Sequence, residues 1–248
     1  MAQVLSPSLP LDRSIMLAIS NALGERPVRV RALETPQGRL WLKRVEQLSL
    51  RWRLQKGNSR VLFEKDRAGL HLLADAGLPV APILAEGPDY FVTPDLGTTL
   101  RAMLDAGVAK DERLRAFDGA GRALAALHAT GYSHGRPAVR DLCWDGEKVR
   151  FIDLEKFSAR RHSPRHFAAD MLIFLHSIFA GSGNAEDADA AVAAYRQAAG
   201  EERWNRVQRL AGQLAFARPM AYGLLGFLKH GRDLRAMIAT LDYLATIR

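Results

Sequence analysis

The chain has 248 residues, 48% of them hydrophobic, and 35 Lys and Arg against 27 Asp and Glu give it a formal charge of +8 and a pI near 10.0. That length allows one two-lobed domain or two small ones with an ordinary core, and the single cysteine, Cys143, excludes an intramolecular disulfide framework. No run of about 18 apolar residues is present to span a membrane and the opening MAQVLSPSLPLDRSIM has no secretory signal pattern, so we expect a soluble cytoplasmic protein whose positive charge meets an anionic partner.

Residues 1–27 show little patterning and end at the breaker Gly24-Glu25-Arg26-Pro27. Residues 28–33 and 40–44 read as two strands joined by Glu34-Thr35-Pro36-Gln37-Gly38, and the second strand carries Lys43. Residues 45–59 form a basic connector. Residues 60–76 read as a helix stopped by Gly77 with Pro79 beyond, and this helix carries Glu64. Between Arg39 and Arg67 nine Lys and Arg stand against three acids, with Trp41 and Trp52 interleaved. We read this stretch as a solvated face before a nucleic-acid or membrane patch. Residues 83–84 and 90–92 are short strands about the turn Glu86-Gly87-Pro88-Asp89, and Thr93-Pro94-Asp95-Leu96-Gly97 is either a rigid crossing or a plain loop.

Helices dominate from Thr98 onward. They cover Leu100–Ala106 and 111–129, the latter with Leu114, Phe117, Leu124 and Leu127 at helical spacing. A short strand at 149–152 is reached through the turn signal Asp145-Gly146. Residues 165–180 are apolar nearly all round and read as a helix buried on several faces. Asp170 lies inside it and must find donors or lift its pKa. Further helices are expected at Ala185–Ala199, 201–216, 221–229 and 233–247.

The polar residues of 134–157, HGRPAVRDLCWDGEKVRFIDLEKF, stand at intervals that packing does not explain. Asp153 and Glu155 are two apart, so in extended chain they project from one face and repel unless a cation lies between them. Hard oxygen ligands of this kind suit Mg²⁺. Asp141 lies 153 − 141 = 12 residues earlier, at the other end of a loop and hairpin.

His134-Gly135-Arg136-(x)₄-Asp141 followed by Ile152-Asp153-Leu154-Glu155 resembles the catalytic loop and metal-binding segment of the protein-kinase-like superfamily. Within it the pattern is similar to bacterial small-molecule and lipopolysaccharide-sugar kinases, which read H-G-D-(x)₄-N and then I-D-F-E. The resemblance implies an α+β, two-lobed kinase-like fold: a segment 1–27, a small antiparallel β lobe with one helix at 28–97, and a larger helical lobe at 98–248. It implies ATP and Mg²⁺ as cofactors, with Asp153 on the metal at the nucleotide phosphates, Asp141 in place of the Asn that holds a second metal, and Glu155 beside them. It also implies that Lys43 touches the phosphates and is held by Glu64, that the crossing at Asp95 meets the adenine through backbone groups, that His134 is structural, and that Asp170 braces the catalytic loop by accepting from the backbone N–H groups of 134–136. Two departures stand out. Arg136 occupies the position of the catalytic-base Asp, and no G-x-G-x-x-G precedes Lys43. Pairing Arg140-Asp141 as the "RD" of the loop instead leaves only 12 residues to Asp153, too few for the usual loop and hairpin.

The expected function is a phosphotransferase in which Arg136 holds an anionic acceptor, such as a phosphorylated or carboxylated sugar. The alternative is a pseudokinase scaffold that binds nucleotide or partners, near an anionic membrane surface or nucleic acid, without turnover.

Overall fold

The computed structural model describes residues 12–46, 58–217, 219 and 231–247. Most of the expected basic connector, with Trp52, and the helix expected at 221–229 lie outside the described residues. The chain divides into two compact units, one running to Leu96 and including Asp153–Lys156, the other made of Gly97–Ile152 and the chain from Phe157 onward.

The first unit is built on a four-stranded antiparallel sheet of order β1-β2-β4-β3. Its strands are β1 (Val30–Thr35), β2 (Gly38–Arg44), β3 (Ala85–Gly87) and β4 (Tyr90–Pro94). Thr35 pairs with Gly38, so the loop is the two residues Pro36-Gln37, shorter than the five expected, and Gly38 supplies the positive φ of 120° that so tight a reversal needs. Leu40 and Leu42 alternate along β2 with Trp41 and Lys43. The leucines, with Leu33 and Val92, pack under a helix, α1 (Arg13–Gly24), through its Ile15, Ile19 and Ala22.

That helix lies where the sequence reading found no pattern. The apolar stripe is there at i, i+4 and i+7, but Met16 and Leu17 break it, being 52% and 61% exposed. Asp12 caps the helix by accepting from the Ser14 N–H. A second helix, α2 (Ser59–Asp75), starts at Asn58, whose side chain accepts from the Arg60 N–H at 3.0 Å. Its Phe63, Leu70 and Leu73 are buried, and the Phe63 ring lies 5.3 Å from that of Phe91 on β4. Each such side chain contributes about 1.5–3 kcal/mol by leaving water.

The second unit carries a three-stranded sheet, β5 (Thr98–Thr99), β6 (Leu142–Trp144) and β7 (Val149–Phe151), in that order. Asp145 organises the β6–β7 turn by accepting from the N–H groups of Glu147 at 2.9 Å and Lys148 at 2.8 Å. Its helices are α3 (Leu100–Ala106), α4 (Lys110–Ala129), α5 (Pro164–Gly181), α6 (Ala185–Ala199), α7 (Glu201–Leu214), which runs on into a 3₁₀ turn at Ala215–Ala217, and α8 (Arg232–Thr246). Gly121 on α4 lets α6 approach closely: a Cβ there would lie 2.2 Å from the carbonyl oxygen of Ala191. On α5, Phe167, Met171, Phe174, Leu175 and Ile178 are buried along one broad face, while Leu172, Ile173 and Phe179 are only partly buried, so full burial is confined to one side of a helix expected to be buried on several. Among the described residues no helix is long and apolar enough to cross a membrane.

Candidate functional site

The charged centre of the first unit begins with Lys43. Strand alternation turns it away from the α1 side of the sheet, and it is only 12% exposed. Its Nζ lies 2.6 Å from Asp66 Oδ2, 3.2 Å from Asp153 Oδ1 and 3.0 Å from Glu155 Oε1. Burial works against the ammonium, but the three carboxylates outweigh it and hold Lys43 above the usual lysine range.

The helix acid that grips Lys43 is therefore Asp66, whereas Glu64 turns outward to Arg67 at 2.5 Å and lies 4.0 Å from Arg60. Two residues on a helix point about 200° apart, so only one of the pair can face the sheet. Asp66 is on the stripe of Phe63, Leu70 and Leu73; Glu64 is not. An acid on an apolar stripe was the available signal. Asp66 is 1% exposed, and burial pushes its carboxyl up against the pull of Lys43. Its second oxygen, Oδ1, accepts from the Leu154 N–H at 2.6 Å, so one carboxylate ties α2, β2 and the 153–156 segment together.

Asp153 and Glu155 reach Lys43 by a route other than the expected pleat. β7 ends at Phe151, and Asp153 has a φ of 58°, the sole non-glycine with positive φ among the described residues. Asp tolerates this left-handed conformation better than most residues. The chain thus turns at Asp153, and the cation between the two acids is an ammonium. A second cation joins it: Arg29 Nη2 is hydrogen-bonded to Glu155 Oε1 and lies 4.0 Å from Asp153 Oδ1. The sequence reading did not single out Arg29. One oxygen each of Asp66, Asp153 and Glu155 lie within 4.8 Å of one another. As a hard-oxygen set they fit a divalent cation such as Mg²⁺, and Asp153 is the most exposed of the three at 23%. Asp95 directly follows β4, and its N–H donates to the Arg39 carbonyl at 3.0 Å, which extends the sheet by one bond.

In the second unit the loop at 134–141 is braced from α5. Asp170, 1% exposed, accepts from the His134 N–H at 2.6 Å and the Gly135 N–H at 3.0 Å, the donors anticipated for it. Gly135 has a φ of 91°, a conformation that favours glycine and lets successive N–H groups converge on one anion. The buried His128 adds a third contact, with Nε2 3.3 Å from Asp170 Oδ2 and Nδ1 2.9 Å from Tyr195 Oη. Burial raises the Tyr195 phenol, which keeps its proton and can donate it to His128 Nδ1. His134 itself is buried with its ring 5.3 Å from that of Phe151. Asp141 is 3% exposed, 3.5 Å from Arg140 Nε, and its carbonyl accepts from the Ile152 N–H at 2.9 Å. Arg136 is half-buried. Its Nε has no hydrogen-bond partner, and no ion pair to it is seen among the described residues.

Comparison with known proteins gives a fold and a distant relative. No family model matches the chain. An uncharacterized protein of Haemophilus influenzae is 31% identical over 154 residues, which is 62% of this chain and 64% of that one. Among solved structures, WaaP in complex with acyl carrier protein superposes with a TM-score of 0.50 at 19% identity, covering 86% of this chain and 93% of that one. WbdD, solved with the kinase inhibitor LY294002, gives a TM-score of 0.48 at 16% identity, and this chain spans about half, 49%, of its length. The WaaP likeness establishes a kinase-like fold of mixed α and β structure with antiparallel sheets.

Proposed function

We propose that this chain is a kinase-like phosphotransferase that binds ATP with Mg²⁺ and transfers phosphate to an anionic acceptor. The observation that carries the reading is the grip on Lys43: a strand lysine held at 2.6 Å by a helix acid and at 3.2 Å by Asp153. A long ammonium fixed in this way loses little further entropy on meeting a phosphate oxygen. Asp153 would hold the metal ion, with Asp141 for a second, and the metal would supply charge neutralisation on the phosphates. Lys43 would donate to phosphate oxygens, and the backbone at Asp95 would meet the adenine. Arg136, which brings five N–H donors and no acidic partner among the described residues, would hold a carboxylate or phosphate of the acceptor. With an arginine at position 136, the acceptor hydroxyl has no carboxylate there to take its proton. General-base help is worth roughly 10²–10⁴-fold, so a slow enzyme is expected.

The same Arg136 favours the second reading, a pseudokinase that binds nucleotide without turnover. Thermal-shift titration with ATP, with and without Mg²⁺, on the wild type and on Asp153→Ala tests nucleotide binding. A ligand at about 100 times its Kd adds roughly 2.7 kcal/mol of stability. Mg²⁺-dependent stabilisation that Asp153→Ala removes supports the site, and no effect at millimolar ATP refutes it. Release or transfer of radiolabelled γ-phosphate, measured with phosphorylated sugars as acceptors, then separates enzyme from scaffold.

A further inference from the structure

We infer that Arg29 is a phosphate-binding residue of this site and that Glu155 is the residue that positions it. The inference rests on the nucleotide reading above and assigns a role to a side chain which that reading leaves out. Arg29 sits at a bend just before β1, one residue beyond the Val30–Lys43 pair, and the Arg44 N–H donates to its carbonyl at 2.8 Å, which fixes the backbone there. At the bend the side chain leaves the alternation of the strand and reaches Glu155, where Nη2 and Lys43 Nζ share the single oxygen Oε1.

The two cations differ in what they present. Lys43 is 12% exposed and engaged by three carboxylates, whereas Arg29 is 40% exposed and, among the described residues, is hydrogen-bonded to an acid through Nη2 alone. A guanidinium has five N–H donors in a rigid fork, so Arg29 keeps donors for an incoming oxyanion beside Lys43 and Asp153. Glu155 holds a long side chain in place before the ligand arrives, which lowers the ordering cost of binding. No glycine-rich stretch precedes Lys43, and a pre-positioned arginine supplies the phosphate contacts that backbone N–H groups of such a stretch would make. Glu155, spent on two organic cations, is on this account a positioning residue and not a metal ligand.

The test is isothermal titration of the full chain with Mg-ATP, with Mg-tripolyphosphate as a probe without the base, and with adenosine as a probe without phosphates. Arg29→Ala should weaken Mg-ATP and Mg-tripolyphosphate by roughly 10–100-fold, the worth of one charge-assisted contact, and leave adenosine unchanged. Arg29→Lys should recover part of the loss, and Glu155→Gln should weaken both phosphate probes while leaving the Mg²⁺ concentration for half-maximal binding unaltered. If Arg29→Ala binds Mg-ATP within twofold of wild type while Asp153→Ala loses it, the role of Arg29 is refuted and the nucleotide reading stands. If tripolyphosphate binds through Arg29 and ATP binds no better than tripolyphosphate, Arg29 keeps its role and the nucleotide reading falls. Wild type that binds neither phosphate probe overturns both.

Discussion

Asp66 offers a double-mutant cycle whose sign, not merely its size, depends on the geometry. Asp66→Ala removes the 2.6 Å contact to Lys43 and leaves the Leu154 N–H without its acceptor. A charge-assisted bond is worth about 1.5–3 kcal/mol and a buried N–H left unsatisfied costs about 1–3 kcal/mol, so we expect a loss of about 3–5 kcal/mol. Lys43 limits the damage because Asp153 and Glu155 still pair with it. In a Lys43→Met background the balance shifts: Asp153 and Glu155 still share Arg29, but Asp66, 1% exposed, is left as a buried acid with no cation in contact among the described residues. Removing it there still orphans the Leu154 N–H, but relief of the buried unpaired charge and of repulsion offsets that cost, so Asp66→Ala should cost less than about 1 kcal/mol or become stabilising. Urea unfolding of wild type, both single variants and the double variant at pH 7 reads the coupling. Additivity of the two substitutions to within about 0.5 kcal/mol would refute the pairing.

Further outcomes follow from features away from that cluster. Asp170→Ala deprives the His134 and Gly135 N–H groups of their acceptor and should cost about 3–5 kcal/mol by urea unfolding, whereas a cost below about 1 kcal/mol would mean that the loop does not depend on this brace. Gly121→Ala drives a methyl group against the Ala191 carbonyl, and an overpacking cost of about 2 kcal/mol should lower Tm by roughly 4–8 °C; an unchanged Tm would show that α4 and α6 separate freely. Asp145 is opposed by partial burial, but the N–H groups of Lys148 and Glu147 and the Arg150 guanidinium outweigh it and hold the carboxyl below its ordinary value of 3.8. Its folded value being the lower one, ionised Asp145 stabilises the turn above that pH and the contribution is lost as pH falls below it. Asp145→Asn should flatten the acid limb of the stability curve, and parallel curves from pH 5 to 2 would contradict this.

Legibility in the sequence followed the strength of local pattern. Leu100–Ala106 and Ala185–Ala199 were bounded by residues that set helix ends on their own, Thr99 and Gly107 for one, Asn184 and Gly200 for the other. The helix pattern marked Asp170 as an acid in need of donors, and the kinase-like resemblance pointed to the N–H groups of 134–136 that supply them. α1 was not, since three buried residues in a helix with exposed Met16 and Leu17 give almost no contrast. Strand β6 is three residues long, below what alternation can reveal. The partner of Lys43 was misread for a different reason: spacing along the chain gives which helix supplies an acid, while the face of the helix decides whether Glu64 or Asp66 does so. Arg29 left no signal in pattern or spacing, because its role depends on meeting Glu155, 126 positions away.

The four residues Asp153–Lys156 belong to the first unit although the chain on both sides of them belongs to the second. A fragment ending at Leu96 would therefore contain Lys43, Asp66 and Arg29 but neither Asp153 nor Glu155, and the Leu154 N–H would be missing from Asp66. During synthesis the first unit stays in that incomplete state while the further 60 residues from Gly97 to Lys156 are made, about 3–12 s at ordinary elongation rates. Throughout that interval Lys43 and Asp66 lack the partners that Asp153, Leu154 and Glu155 supply in the finished chain. The charged centre therefore closes late in the life of the nascent chain, and the first unit cannot be separated by cutting at one point. It would have to be made as two pieces, or as a permuted chain that brings 153–156 in with the rest.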